Sequence, residues 1–149
     1  MPASGPPEIS LFANADCDDV SLSRLKEQIE KAFPDCLRSP GPENPLLDEL
    51  TAIEISLVSD EAIAEVHGEF MDDPSPTDVI TFHHGEILAS VDTARREGAE
   101  HGNATGEELL LYVIHGLLHL NGHTDASEPA RTTMHRVQEA IHRRVLDRD

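Results

Sequence analysis

The chain, residues 1–149, is predicted to be a single α+β domain in which a mixed β-sheet of about four strands packs with about five helices. Short stretches of alternating apolar side chains take turns with longer stretches of helical periodicity, an order typical of helices lying over a sheet. One helical stretch, residues 109–120, is apolar enough to lie at the centre of the domain. A chain of this length buries about 70% of its unfolded surface, so no second domain is needed.

The N-terminal part of the chain is predicted to form a strand, a helix and a loop. Residues 8–13 alternate apolar and polar side chains, as a half-buried strand does. Ser21 is a favourable N-cap for an amphipathic helix, which Pro34 is expected to end. Residues 39–47 are rich in proline, and we expect this loop, like residues 1–7, to be flexible.

The middle of the chain is predicted to contain three strands and one helix. Residues 50–58 alternate isoleucine and leucine with polar residues. Residues 59–70 begin with Ser-Asp-Glu, a typical helix start, and carry apolar side chains at helical spacing up to Phe70. Two short strands, 79–82 and 86–91, follow, and the His-His-Gly sequence between them suits a tight turn.

Two further helices are predicted in the C-terminal part. Residues 105–120 begin with a threonine and an acidic first turn, and they include the apolar stretch that should be central. Ser127 starts a last helix that continues to about Val145, in which Met134 occupies a core position. The histidine-bearing face of the central helix is expected to lie at an opening of the domain.

Potential metal ligands cluster at the end of the central helix. His115 and His119 are four residues apart, so both imidazoles project from one face of the helix, one turn apart. Gly122 stands where the helix should end, because glycine enters the left-handed conformation without a steric penalty. The chain reversal would bring Asp125 back towards the histidines, and two imidazoles with a carboxylate suit one metal ion.

The spacing of these residues matches the zinc-protease pattern H-E-x-x-H-x-x-G-x-x-H, but two residue types differ. Gly116 stands in place of the glutamate, and Asp125 in place of the third histidine. In those proteases the glutamate is the general base that takes the proton from metal-bound water, and glycine has no side chain to do so. A zincin-like metallopeptidase or amidase is therefore an alternative that the sequence disfavours.

The same stretch resembles the signature of the YbeY-type endoribonuclease family, H-G-x-L-H-L-x-G-Y-D-H. Residues 115–125 read H-G-L-L-H-L-N-G-H-T-D. Residues 76–82 read P-T-D-V-I-T-F and resemble the family's P-T-D-V-L-S-F, and residues 85–87 resemble its G-D-I strand. Residues 134–139 are similar to the family's closing helix, so the resemblance extends from about Ala52 to the C-terminus.

The resemblance implies a zinc-dependent endoribonuclease that cuts single-stranded RNA in ribosomal RNA maturation, including 16S rRNA 3′-end processing, and in ribosome quality control. It implies one zinc ion per chain, with ribosomal RNA and the ribosome or its proteins as partners. His115, His119 and Asp125 take the positions of the family's three histidine ligands. His123 keeps the ligand type two residues early and stays an alternative third ligand, although Asp125 is favoured because it preserves the spacing.

The catalytic groups differ from the family pattern in one further place. Many members have Tyr-Arg where this chain has Phe70 and Met71, and an arginine there would stabilise the charge of a phosphate transition state. No general base is identified, because Asp78 and Glu108 have suitable chemistry but each also suits a structural role. A non-catalytic ribosome-associated factor, in which zinc only braces the fold, is therefore the second alternative.

The overall charge is unusual for a protein that acts on RNA. The formal net charge is −18, with 29 acidic against 11 basic residues, whereas RNA binding usually depends on lysine and arginine. Arg95 and Arg96 lie in the part that resembles the family and are the predicted substrate contacts. The acidic surface also suits adaptation to high salt or a basic ribosomal protein as partner.

Targeting signals and cysteine pairs are not evident. The sequence starts M-P-A-S-G-P-P, which has neither a basic region nor an apolar segment, and no stretch is apolar over the thickness of a bilayer. Cys17 and Cys36 form no C-x-x-C motif and lie far from the histidines in sequence, which fits a reducing compartment. We expect a cytoplasmic protein that does not associate with membranes.

Overall fold

Four strands form one mixed sheet. The computed structural model describes residues 6–148, and its strands are β1 (Glu8–Ala13), β2 (Ala52–Val58), β3 (Val79–Phe82) and β4 (Glu86–Ser90). Their order across the sheet is β1-β2-β4-β3, in which β1, β2 and β4 are parallel and β3 pairs with β4 in the antiparallel direction. The predicted turn joins β3 to β4 through Gly85, which has φ of 110° and donates its N–H to the Phe82 carbonyl.

Five α-helices complete the fold. They are α1 (Leu22–Leu37), α2 (Asp60–Met71), α3 (Val91–His101), α4 (Thr105–Leu120) and α5 (Glu128–Asp147), and a short 3₁₀ helix spans Leu47–Glu49. The mixed four-stranded sheet and the five helices confirm the predicted α+β class. None of the helices within residues 6–148 has the length and apolar character needed to span a lipid bilayer.

Helix α4 lies at the centre of the domain, as predicted. It contacts α1, α3 and α5 as well as β3 and β4. Its fully buried side chains are aliphatic: Leu109, Leu110, Val113, Ile114, Leu117 and Leu118. Helix α2 covers the other face of the sheet, where Ile63 packs with Ile80 and Leu88 in a smaller core. Because α4 is packed between the sheet and the helices α1, α3 and α5, it is a rigid support for the histidines that it carries.

Helix α1 continues past Pro34, which was expected to end it. The helix reaches Leu37 with Pro34 inside it, so the prediction of its end was wrong. A proline inside a helix removes one backbone hydrogen bond, but the last turn is held by packing. Phe33 and Cys36 on either side of the proline are buried in the main core, and the Arg38 N–H donates to the Pro34 carbonyl.

Helix α3 is the fifth helix, whose position the sequence pattern did not reveal. The strand before it ends at Ser90, one residue earlier than predicted, because the Ser90 side chain accepts a hydrogen bond from the Thr93 N–H and caps the helix. Gly102, with φ of 76°, ends it. Its buried side is made mostly of small residues, including Ala94 and Gly98, so it lacks the large apolar stripe that identifies an amphipathic helix.

The loop predicted to be flexible, residues 39–47, is joined to the end of α4 by backbone hydrogen bonds. The N–H groups of Gly41, Glu43 and Leu46 donate to the carbonyls of three successive residues, 120–122, at 2.8–3.0 Å. The flexibility of this loop stays a prediction. Of residues 1–7, residues 1–5 lie outside the described part of the chain.

Candidate metal centre

Helix α4 places two imidazoles side by side at its C-terminal end. The ring centroids of His115 and His119 lie 4.8 Å apart, and the ring planes are inclined by 81°. Both side chains are half-buried, because the helix faces the sheet and α5 at this point and is open on one side. The i, i+4 spacing therefore produces the arrangement that the sequence predicted.

The turn after α4 brings a carboxylate to the two imidazoles. Gly122 has φ of 97°, a left-handed conformation that reverses the chain as predicted. Ligand atoms of His115, His119 and Asp125 then all lie within 4.8 Å of one another, and these three residues can hold a metal ion. Asp125 is exposed, so the cluster combines two half-buried nitrogen donors with one oxygen donor at the surface.

The alternative third ligand, His123, points into the protein instead. Its side chain is buried, and Nε2 lies 2.7 Å from the Ser39 carbonyl oxygen in the loop after α1. The neighbouring Asn121 also holds this loop, since its side-chain amide donates to the Cys36 carbonyl at 2.9 Å. His123 therefore helps to fix the turn, and the carboxylate of Asp125 is the group that joins His115 and His119.

The surroundings of His119 favour neutral imidazole, the form that binds a metal ion, and those of His115 provide a hydrogen bond to one ring nitrogen. Burial, assisted by the neighbouring His115, lowers the pKa of His119, although Asp125 opposes the shift. His115 Nδ1 lies 2.8 Å from the side-chain oxygen of Gln138 on α5, which leaves Nε2 available to a metal. The charge state of one ring and the hydrogen bond of the other thus agree with a zinc-type donor set.

A side chain at position 116 would be crowded by the sheet. A Cβ atom at this position would lie 2.9 Å from Ile87 Cδ1 and 3.0 Å from Thr81 Oγ1, because α4 packs directly on β3 and β4 here. A glutamate at this point of the helix, like the general base of zinc proteases, would face the sheet and would require the Ile87 and Thr81 side chains to move. The close approach of helix and sheet explains the glycine of the sequence motif and argues against peptidase chemistry.

Two cavities meet at the histidine cluster. The smaller, of about 330 Å³, is lined by all three possible ligands and by Met71 and His83. The larger, of about 770 Å³, lies between α3, α4 and α5. Four residues line both cavities: Thr77, Asp78, Val79 and His115. A substrate held at the cluster therefore has space on two sides.

Comparison with known proteins identifies the family. The model of the family described as Endoribonuclease YbeY matches residues 13–146. The chain belongs to the YbeY family. The match includes every strand and helix from α1 onwards except the last residue of α5, so the fold and the histidine motif are both within it.

Relatives of this YbeY-family chain agree with that assignment. It is 33% identical over 113 residues to Endoribonuclease YbeY of Synechococcus sp. (strain RCC307), which covers 66% of this chain and 71% of the relative. Over 163 aligned positions it is 32% identical to Endoribonuclease YbeY of Synechococcus sp. (strain CC9311), which covers 93% and 92% of the two chains. The solution structure of TM1509 from Thermotoga maritima has the same fold, with a TM-score of 0.60, 23% identity and coverage of 94% and 90%.

The two arginines predicted to contact substrate occupy different places in the YbeY fold. Arg95 binds Asp19 through two hydrogen bonds of 3.0 and 2.8 Å and does not line either of the cavities that meet at His115. Arg96 lines the larger cavity, and its exposed side chain reaches Asp60 at 2.6 Å. Of the two, only Arg96 lines a cavity that His115 also lines.

The two carboxylates considered as general base both line the larger cavity, but they differ in exposure. Asp78 is exposed, lines both cavities and accepts a hydrogen bond from the Val79 N–H at 2.8 Å. Glu108 is buried beside the larger cavity and accepts a hydrogen bond from the Asn103 side chain at 2.8 Å. The structural role considered for Glu108 fits this contact, whereas Asp78 lies where the two cavities join.

Residues from other parts of the YbeY chain complete the site without having been singled out in the sequence. Gln138 contacts His115, and Gly41 packs against the turn that carries Asp125. Tyr112 lies beside the larger cavity, and its hydroxyl is buried. Burial, with the charge of Glu108, raises the pKa of this phenol, so it stays protonated. A polar residue on the core face of α5 was the available signal for Gln138.

Proposed function

We propose that this protein is a zinc-dependent endoribonuclease that cleaves single-stranded RNA in the cytoplasm. Its substrate is ribosomal RNA, and its roles are 16S rRNA 3′-end processing and ribosome quality control. The observation that carries the proposal is the convergence of His115, His119 and Asp125 on a cavity in a chain of the YbeY family. One zinc ion per chain fits a donor set of two imidazoles and one carboxylate, which leaves a fourth position open.

The chain's own residues would bind and orient the RNA around this ion. When bound, zinc supplies an acidified water and a Lewis acid for the phosphodiester. Asp78 stands where both cavities join, so its carboxylate can accept a hydrogen bond from a ribose hydroxyl or a water beside the scissile bond. Arg96 in the larger cavity provides a guanidinium for a phosphate, in competition with Asp60.

The shape of the site supports a preference for single strands. The possible ligands lie at a cavity of about 330 Å³, and the two histidines are half-buried. A phosphodiester reaches them only if its strand can bend into the cavity. A flexible single strand can do so, whereas a stiff duplex cannot.

The two alternative functions require different groups at the site. A peptidase or amidase needs a general base next to the first histidine, and Gly116 faces Ile87 and Thr81 instead. A non-catalytic ribosome-associated factor needs only the zinc. The acidic net charge and the methionine at position 71 are consistent with such a factor, so the experiment must separate binding from cleavage.

Cleavage assays with zinc-loaded and chelator-stripped protein test the proposal. Single-stranded RNA, duplex RNA and casein are the substrates, and His115→Ala is the control. We expect zinc-dependent cleavage of single-stranded RNA alone. Binding to ribosomal particles without cleavage beyond the His115→Ala control would support the binding factor, and cleavage of casein would support the peptidase.

The two arginines provide a matched pair for RNA binding. Arg96→Gln should weaken RNA binding and reduce its dependence on salt, because Arg96 lines the cavity. Arg95→Gln should leave RNA binding nearly unchanged and instead loosen the contact with Asp19. Equal effects of both changes on salt dependence would mean that RNA follows a different surface.

A further inference from the structure

Helix α5 carries a buried polar side chain where its core face should be apolar. Gln138 is only 5% exposed, and it lies on the same face as Met134, Ile141 and Val145, which are buried in the main core. A buried amide is unfavourable unless it is hydrogen-bonded. His115 provides a partner for the amide oxygen, because the Gln138 side-chain oxygen lies 2.8 Å from His115 Nδ1.

This contact selects one tautomer of His115. An amide oxygen only accepts hydrogen bonds, so Nδ1 of His115 carries the proton and donates it to Gln138. A neutral imidazole has a single ring proton, which leaves the lone pair on Nε2. Nε2 is then the atom that His115 presents to the possible ligand cluster with His119 and Asp125.

Helix α5 is held in register with α4 close to this contact. One turn further along, His142 is buried and its Nε2 lies 2.7 Å from the Glu107 carbonyl oxygen in the first turn of α4. One turn before, Met134 is fully buried in the core. The backbone that carries Gln138 is thus fixed on both sides, so its amide oxygen is presented to His115 at a defined place.

We propose that Gln138 is a positioning residue of the metal centre, which fixes the tautomer and the ring orientation of His115 for binding of zinc through Nε2. This inference rests on the proposed metal site, and it adds to it a residue that does not touch the metal. Loss of such a hydrogen bond to a ligating histidine typically weakens metal binding about 10–100-fold.

Two substitutions separate positioning from packing. Gln138→Leu keeps a side chain of similar size and removes the acceptor, and it should weaken zinc binding about 10–100-fold. Gln138→Glu keeps an acceptor and makes it stronger, so zinc binding should be at least as tight as in the wild type. If Gln138 only filled space, leucine would be harmless and a buried glutamate harmful, which is the opposite order.

The measurements are zinc affinity by competition with a chromophoric chelator and the histidine tautomers by ¹⁵N NMR of zinc-free protein. The exposed Arg143→Gln on the same helix, at a position that lines neither of the two cavities at the histidine cluster, is the control and should bind zinc as the wild type does. Zinc-free wild type should show the His115 proton on Nδ1, and Gln138→Leu should show a mixture of tautomers. Circular dichroism confirms that each variant is folded.

Several outcomes would overturn the inference. These are an Nε2-protonated His115 in zinc-free wild type, undiminished zinc affinity in Gln138→Leu, or weaker binding in Gln138→Glu than in Gln138→Leu. If the wild type binds no zinc, both the metal site and this inference fail. If it binds zinc but cleaves no RNA, only the proposed function fails, and the ranking of the variants still decides the role of Gln138.

Discussion

Gly41→Ala should damage the metal centre from a distance, because Gly41 packs backbone to backbone against the turn after α4. A Cβ atom on Gly41 would lie 2.4 Å from the carbonyl oxygen of Gly122 and 2.6 Å from the backbone nitrogen of His123. Carbon atoms in ordinary contact are about 3.5–4.0 Å from their neighbours, so one of the two backbones must move by about 1 Å. No rotation of a side chain can relieve a clash with backbone atoms.

The expected loss of stability follows from three contributions. Overpacking in a close contact costs about 1–3 kcal/mol. The same movement stretches the hydrogen bonds from Gly41 N–H to the Asn121 carbonyl and from Glu43 N–H to the Gly122 carbonyl, worth about 0.5–1.5 kcal/mol each. Alanine also lowers the conformational entropy of the unfolded chain, which stabilises the folded protein by about 0.4–1 kcal/mol. We expect a net decrease of about 1–6 kcal/mol in the free energy of unfolding.

Urea denaturation of zinc-free protein measures this loss, with Gly106→Ala as the matched control. The nearest atom to a Cβ on Gly106 is Val20 Cγ1 at 3.8 Å, so this change should stabilise α4 by about 0.5–1 kcal/mol. Zinc affinity of Gly41→Ala should also fall, because the displaced turn carries Asp125. A Gly41→Ala protein with wild-type stability and zinc affinity would refute the claim that the close backbone contact of Gly41 with Gly122 holds the turn.

Three further changes test the site. Asp125→Ala should weaken zinc binding at least as much as His115→Ala does, as measured by chelator competition. His123→Ala should weaken it no more than about 100-fold. If His123→Ala weakens zinc binding more than Asp125→Ala does, His123 is the third ligand. Met71→Arg should speed cleavage of single-stranded RNA by up to about 100-fold, because position 71 lines the ligand cavity; an unchanged rate in single-turnover assays would contradict this. Zinc-free protein should lose stability as the pH falls below 6.5. Burial lowers the pKa of His119 in the folded state, so the unfolded chain binds more protons in this pH range. Urea titrations at several pH values should show a weaker pH dependence for His119→Gln than for the wild type.

The sequence was sufficient to predict elements whose signals are local. The spacing of His115 and His119 on one apolar helix, and the glycine that ends this helix, predicted side chains that the structure does bring together. The four strands were placed within one or two residues, because alternation and turn residues lie within each segment. Family resemblance added the expectation of a nuclease, which spacing alone did not support.

Features that depend on contacts between distant segments were not predicted. Pro34 lies inside α1 because the core buries Phe33 and Cys36, and no local rule contains that information. Helix α3 packs through small residues, so it lacks a periodic apolar signal. The contact of Gln138 with His115 joins two helices, and its only trace in the sequence is a glutamine among apolar core positions.

The hydrogen bonds between the loop after α1 and the turn after α4 also determine at which stage of folding the proposed metal centre can form. His115 and His119 become neighbours as soon as α4 is helical, on the time scale of local helix formation. The turn that carries the carboxylate, however, is held by partners such as Ser39, which is 84 residues away from His123 in the chain. Closing a loop of that length is slow compared with helix formation. The proposed three-ligand centre would therefore be completed only after the loop after α1 has packed against the turn after α4, so that zinc binding would report on this contact between distant parts of the chain.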